Sequence, residues 1–395
     1  MNSPNIPYFK LKPGMQRLLA ATAGVGLVCF VVGLFLDAHR AWGNWLLGAY
    51  YFTTLALFGT FFIAIGYLTS AGWSVSMRRV PEAMMSWLPA ALVTMLVLGA
   101  GMGYLYEWVH PHDDGSHHAH LLHHKSPWLN QWFFLGRIIL YFGIWIGVSQ
   151  LLTRHSRRQD TDGDVTHTRS NTRTSAIFGV LFALTLSAAS FDWLMSLEAA
   201  WFSTIFGIYQ FAGLFQSGIA ALIVLLVLLR RMGYLRDAVN ENHLHNLGQW
   251  LIALSVFWAY IWFSQLLLIW YSNIPEETSY YLIRSQGDWW VLTFIVNPLL
   301  NFAIPFVVLL PRPAKRSEYI LVRVAVMVLV GHWLDIWLGI MPYVSPEGPW
   351  FDFMEVGVML GFAGAFGLVF FKALERAPLV PLRDPYLQES LHHKL

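Results

Sequence analysis

The sequence predicts an all-α integral membrane protein of ten transmembrane helices, and three observations carry that reading. Charged residues make up 12% of the chain against 56% hydrophobic, far from the composition of a soluble domain. Ten apolar stretches are each long enough to cross ~30 Å of hydrocarbon at ~1.5 Å per residue. Lys and Arg gather on one side of those stretches, as the positive-inside rule describes for cytoplasmic loops. The net charge of +2 includes no basic block that would suit nucleic acid. The lone cysteine, Cys29, excludes a disulfide framework or a cysteine-held cluster within the chain.

The elements follow in order. Segment 1 (16–36) comes after the polar MNSPNIPYFKLKPG, which has no small-residue cleavage site, so it is expected to stay as a helix. Segments 2 (45–69) and 3 (83–109) flank RRVPEAM, and segment 3 ends beside Glu107 at the outer boundary. HPHDDGSHHAHLLHHK (110–125) holds seven of the 15 histidines. Such a run can bind zinc or copper, but it is read as a hydrated docking loop with no fixed metal geometry. Segment 4 (129–152) carries Arg137, ~13 Å below the outer surface by helical rise. Residues 153–173, with RHSRRQDTDGDVTHTRSNTR, read as a mobile charged linker between two halves. Segment 5 (174–197) holds Asp192 near its outer end, with Glu198 just beyond. Segments 6 (205–229) and 7 (246–272) follow, the latter with Gln265 in its outer half. Segments 8 (289–310), 9 (320–341) and 10 (352–373) complete the set, with His332 and Asp335 in segment 9 and Asp352 and Glu355 opening segment 10.

Twenty Lys and Arg fall on the side of both termini, from Lys10 to Lys394, while the other side has Arg40, Lys125 and Arg284. Both termini are therefore expected in the cytoplasm, on a single polytopic domain spanning 1–395. A faint internal repeat relates segments 2–5 to segments 6–9. SFDWLMSLE (190–198) and HWLDIWLGIMP (332–342) each place an Asp near the outer end of the fourth member. Arg137 follows Trp128 in segment 4 as Asn297 follows Trp289 in segment 8. Repeats of this kind set sites within helix bundles.

An ionisable group in a span is a functional candidate, because an unpaired charge there costs at least ~2.5–3.5 kcal/mol. Asp192, Asp335, Arg137, Glu107 and Gln265 all lie toward the outer side. His332 and Asp335, three apart, share one helix face and suit a proton relay. Arg137 needs a carboxylate partner, and a purely structural pair with Asp192 or Glu107 is the plain alternative. The inner half offers hydroxyls and amides instead: Thr53, Thr54, Tyr260, Ser264 and Asn301. Three classes fit such a bundle. A b-type cytochrome needs facing axial histidines, and His332 is the one histidine deep in a span. A secondary transporter would show matched broken helices, which are not evident. A quinone- or proton-handling subunit of a redox complex fits the polar groups gathered toward one face.

The run VFWAYIWFSQLLLIWYSNIPEETSYY (256–281) closely resembles the signature helix and loop of the ActF-type membrane subunits of bacterial alternative complex III, a quinol:cytochrome c oxidoreductase. RRVPEAM (78–84), HKSPWLNQWFFLGRIILYFGIW (124–145), FDWLMSLEAAWFSTIFGIYQFAG (191–213) and GHWLDIWLGIMP (331–342) match in order and spacing. These subunits are similar to the wider NrfD/polysulfide-reductase membrane subunits. That resemblance implies two four-helix bundles, 45–152 with 174–197 and 205–341, plus two peripheral helices including 352–373. It implies a bacterial cytoplasmic-membrane location and no cofactor covalently bound to this chain. Haem and iron–sulfur clusters would sit in c-type cytochrome and iron–sulfur partners, beside a paralogous NrfD-like subunit. Menaquinone or ubiquinone would be the quinol. Arg137, Asp192, Gln265, His332 and Asp335 lie inside matching motifs. Of these, Arg137, Asp192, His332 and Asp335 are the expected quinone contacts, and the whole set with Glu107, Tyr260 and Ser264 the expected proton carriers.

Overall fold

The computed structural model describes residues 8–111 and 117–394. Among the described residues the chain is helical throughout, and ten helices are long and apolar enough to cross a membrane. They are α1 (Pro13–Leu36), α2 (Ala38–Leu68), α3 (Arg79–Leu105), α4 (Gln131–Asp162) and α5 (Thr166–Leu197). The remainder are α6 (Phe206–Arg231), α7 (Glu241–Ser272), α8 (Trp289–Leu309), α9 (Glu318–Val344) and α10 (Phe353–Leu374). Both described chain ends meet at one end of the molecule, where Leu11 N donates to Glu375 Oε1 at 2.6 Å. That end is called the termini end below, and the opposite one the far end.

α2 and α6 are the central pair. Their most apolar stretches are 78% and 83% buried, against 17% for α1, so they carry the core while α1 is peripheral. α2 packs against α3, α5, α6, α9 and α10, and α6 against α5, α7 and α9. The two touch so closely that a Cβ on Gly218 would lie 2.0 Å from the Phe58 ring. α1 leans chiefly on α10, and there Gly26 and Gly361 face each other backbone to backbone. A Cβ on Gly26 would fall 2.2 Å from Gly361 Cα. Small residues are what allow such approach in lipid, where dispersion contacts drive helix association.

Two boundaries differ from the sequence reading. α2 starts at Ala38, one residue after α1 ends, because Asp37 caps it by accepting from Arg40 N at 3.1 Å. Its polar first turns are buried, since Arg40 forks onto Glu355 with Nε–Oε1 2.8 Å and Nη2–Oε2 2.7 Å. The expected mobile linker 153–173 is instead a helical hairpin. α4 continues to Asp162, Gly163 ends it at φ +73, and α5 begins at Thr166. Gln159 Nε2 donates to Thr168 Oγ1 at 2.8 Å, and His155 bonds Asn171 at 3.0 Å across the hairpin. Polar residues that solvate a helix face had read as a loop. The His-rich run is likewise partly helical, His117–Lys125, and stacks His120 on His124 at 5.1 Å, an H-x3-H spacing that the loop reading passed over. Its residues 112–116 lie outside those described. Among the described residues no group of three or more His, Cys, Asp or Glu stands together as a metal site.

Substituting Gly361→Val should push α1 off α10 and lower stability by about 1–3 kcal/mol, the cost of overpacking. A thermal melt of the purified protein reads this as a lower midpoint, with Gly14→Val, which meets open space, as the neutral control.

Candidate functional site

Each half of the chain buries one aspartate near the far end, and the two are satisfied differently. Asp192 on α5 is 1% exposed. Arg137 on α4 grips it through Nε–Oδ2 at 2.7 Å and Nη2–Oδ1 at 2.8 Å. Tyr141, one turn on from Arg137, donates to Oδ2 at 2.8 Å, and Trp128 Nε1 donates to Oδ1 at 2.9 Å. The guanidinium also donates to Trp128 O at 2.9 Å and lies 4.3 Å over the Trp128 ring. The carboxylate thus has four donors and a matching charge, the fork geometry that makes a buried pair tenable. Glu107 lies elsewhere, half-buried in the short helix Glu107–Val109 beyond α3.

Asp335 on α9 has three donors and none is charged. Tyr209 O–H on α6 and Asn297 Nδ2 on α8 donate to Oδ1, the latter at 2.8 Å, and Trp258 Nε1 on α7 donates to Oδ2 at 3.1 Å. Four helices therefore converge on one carboxyl group. Asn297 stands where the repeat places Arg137, so the corresponding position holds a neutral amide in one half and a guanidinium in the other.

Prolines explain how those amides come to point inward. Pro298 has no N–H, and α8 relaxes into two π turns on either side of it, Leu292–Val296 and Leu299–Ala303. Asn297 and Asn301, four apart, then share the inner face, and Asn301 Nδ2 donates to Asn297 Oδ1 at 2.7 Å. Pro305 leaves the Asn301 carbonyl without its usual helical donor, and Gln216 Nε2 on α6 takes it at 2.5 Å. The same Nε2 lies 2.9 Å from Ser255 Oγ on α7. Pro342 in α9 likewise frees the Leu338 carbonyl, and Arg284 Nε donates to it at 2.8 Å. Arg284 further reaches Glu198 Oε1 at 2.9 Å, tying the end of α5 to the far end of α9. A polar row therefore runs from Asp335 through Asn297, Asn301 and Gln216 to Ser255, toward mid-span.

Beside Asp335 lies a cavity of about 20 Å³, lined among others by Gln265, Tyr280, Arg284, Thr293 and Asn297. A site needs roughly 10–15 Å³ on this measure to hold one water, whereas a cavity that takes benzene is about 150 Å³. The space fits a water and not a quinone ring. Gln265 Nε2 and Thr293 Oγ1, on residues that line this space, are buried without a hydrogen-bond partner among the described residues. Burial pushes the Tyr280 hydroxyl up to about 12, so it stays a donor near neutral pH.

His332 does not form the expected pair with Asp335. Neither ring nitrogen has a hydrogen-bond partner, although the residue is 2% exposed. The ring sits 5.4 Å from that of Tyr51 on α2 and so tightly on Gly213 of α6 that a Cβ there would be 2.9 Å away. The two residues share a face of α9, but the Asp335 oxygens aim at α6, α7 and α8. Tyr260 also stands apart, 65% exposed on the outer face of α7, and Trp258 takes the inward position instead. Thr53 and Thr54 donate to their own helix, at Ala49 O and Tyr51 O. Ser264 is half-buried beside Gln265. Sequence reasoning missed Tyr209, Trp258 and Ser255, which nothing distinguishes from their aromatic or small neighbours. It also missed Gln216, an amide in an apolar span, and Tyr141, whose i+4 spacing from Arg137 was the available signal.

A larger groove of about 550 Å³ opens on the far-end flank of α5, lined by Trp128, Phe191, Ser196, Trp201 and Phe202. It would admit a ring the size of a quinol, and it meets the Asp192 cluster at Trp128, which donates to the carboxylate, and at Ser196, whose hydroxyl donates to the Asp192 carbonyl.

No protein-family model matches this chain, and no curated protein matches it.

Asp192→Asn should strand Arg137 as a buried unpaired charge and destabilise the protein by about 3–5 kcal/mol. Chemical denaturation should show the neutral double variant Arg137→Gln/Asp192→Asn recovering part of that loss, the signature of a desolvated pair.

Proposed function

We propose that this chain is a membrane subunit of a respiratory quinol:cytochrome c oxidoreductase of the alternative complex III type, and that its second half conducts protons while its first half is a scaffold. The motif resemblance across both halves supports the family reading. The helix contacts support two four-helix bundles, α2–α5 and α6–α9, with α1 and α10 peripheral. The charge asymmetry between the two ends supports cytoplasmic termini and a far end at the periplasm of a bacterial cytoplasmic membrane. Haem and iron–sulfur clusters then belong to c-type cytochrome and iron–sulfur partners, next to a paralogous membrane subunit.

One contrast carries the division of labour. Asp192 has a matching guanidinium, while its repeat counterpart Asp335 has neutral donors and a water-sized cavity. A carboxyl without a counter-charge can gain or lose a proton without breaking an ion pair, and a water next to it supplies the exchange partner. Protons released by quinol oxidation near the periplasmic face would pass between that water and Asp335. The amide and hydroxyl row toward Ser255 extends the route inward, and Asn side chains require a water between them to pass a proton on. Menaquinone or ubiquinone does not fit the space at Asp335, so no quinol chemistry is assigned there.

A second reading, that the chain also contacts quinol, rests on the groove beside Trp128. A photoreactive quinone that labels Trp128 or Trp201 in the native complex would support it, and labelling confined to partner subunits would remove it.

Asp335→Asn in the assembled complex should lower turnover or proton yield about a hundredfold or more, the low end of what a lost acid–base group removes, with assembly intact. Normal values for both would leave a structural anchor. Isolation of the chain under mild detergent without haem- or cluster-bearing partners would point instead to a transporter.

A further inference from the structure

At the termini end a separate cavity of about 530 Å³ lies between α3 and α4, and Arg376 beyond α10 closes one side. Arg154, Arg157 and Arg158 of α4 line it, facing Met85 and Pro89 of α3. None of these four arginines forms a salt bridge among the described residues, and the buried Nε of Arg157 has no hydrogen-bond partner. The acids close by are already engaged. Arg79 binds both Glu82 and Asp160, Ser156 Oγ donates to Glu82 Oε1 at 2.6 Å, and Leu382 N donates to Asp160 Oδ1 at 2.9 Å. Glu375, the neighbour of Arg376, accepts from Leu11 instead. Arg79 and Arg376 stand near enough to Arg157 to repel it, and Glu82 and Asp160 near enough to attract it. Four arginines that form no salt bridge among the described residues suit an anion.

Its depth says which kind. α4 has 32 residues and is ~48 Å long at ~1.5 Å per residue, longer than the ~30 Å hydrocarbon core. The apolar part ends near Leu152, so Arg154 stands about half a turn beyond it and Arg157 and Arg158 about one and a half turns beyond it, at head-group height. Below the pocket, toward mid-span, Val93 and Leu96 of α3 and Leu151 of α4 are exposed apolar side chains where acyl chains would run. A soluble phosphate would need the basic pocket but not the apolar wall beneath it.

We propose that this pocket binds the phosphodiester head group of an anionic phospholipid, with Arg154, Arg157, Arg158 and Arg376 as its donors and the α3–α4 face as the bed for its tails. Guanidinium forks match phosphate oxygens in pairs, and basic pockets between spans are suited to such head groups. The site is independent of the Asp335 reading.

The test uses the full protein with the subunits that purify with it, stripped of lipid in neutral detergent and analysed by native mass spectrometry. The probes are phosphatidylglycerol, phosphatidylcholine at equal mole fraction, and inorganic phosphate alone. The wild type should retain phosphatidylglycerol at least tenfold over phosphatidylcholine, with inorganic phosphate unable to compete at equal concentration. Arg154→Gln/Arg158→Gln should bring the preference to within about twofold. Arg376→Gln, at an exposed position in the turn beyond α10, should lower it about threefold with unchanged elution and melting. Equal retention of both lipids by the wild type, or an unchanged preference in the folded Arg376→Gln and double variants, overturns the proposal. Competition by inorganic phosphate makes this a free-anion site, and loss of a subunit rather than of lipid makes it a protein contact; either result overturns the lipid assignment.

Discussion

A carboxyl group inside a membrane has to be given donors by the protein, because hydrocarbon offers none. This chain meets that constraint twice, at Asp192 and at Asp335, with opposite electrostatics. Around Asp192 the donors include a guanidinium held by its stacking on Trp128, and the result is a closed, charge-matched knot between α4 and α5. Around Asp335 the donors are a phenol, an indole and an amide from three different helices, and the group stays without a counter-ion. The same structural demand yields an ion pair in one half and a carboxyl group with neutral donors in the other.

The amide that reaches Asp335, and the polar groups around it, depend on backbone features that look like defects. Three prolines each remove an N–H, and side chains enter where the backbone is left open. Gln216 takes the carbonyl freed by Pro305, Arg284 takes the one freed by Pro342, and the π turns around Pro298 swing Asn297 and Asn301 onto one line. Leaving one such buried group unpaired costs about 1–3 kcal/mol. The polar row of the second half thus answers, in part, carbonyls that prolines leave open, and it lines up amides and a hydroxyl behind Asp335.

Much of this was legible in the residues themselves. The ten spans follow from apolar length, and the inequality of the two ends from Lys and Arg placement. The Arg137–Asp192 pair was foreseeable because a lone guanidinium in a span must find an acid, and few acids were on offer. The environment of Asp335 was not. Tyr209 and Trp258 are two aromatics among 16 Tyr and 19 Trp, and only the assembled fold singles them out. His332 lies on the right face, but its ring turns to Tyr51 and Gly213, a choice made by neighbours that are distant in sequence. The 153–173 hairpin was hidden because a solvated helix and a polar loop share a composition. Prolines 298, 305 and 342 were plain to see, while the side chains that answer them come from other helices.

In the proposed role Asp335 exchanges its proton with water during turnover. Infrared difference spectra of the assembled complex, recorded between resting and quinol-reduced states, report such an exchange. The expected result is a carboxyl band in the wild type that is missing from Asp335→Asn. Identical spectra from the two proteins would contradict it.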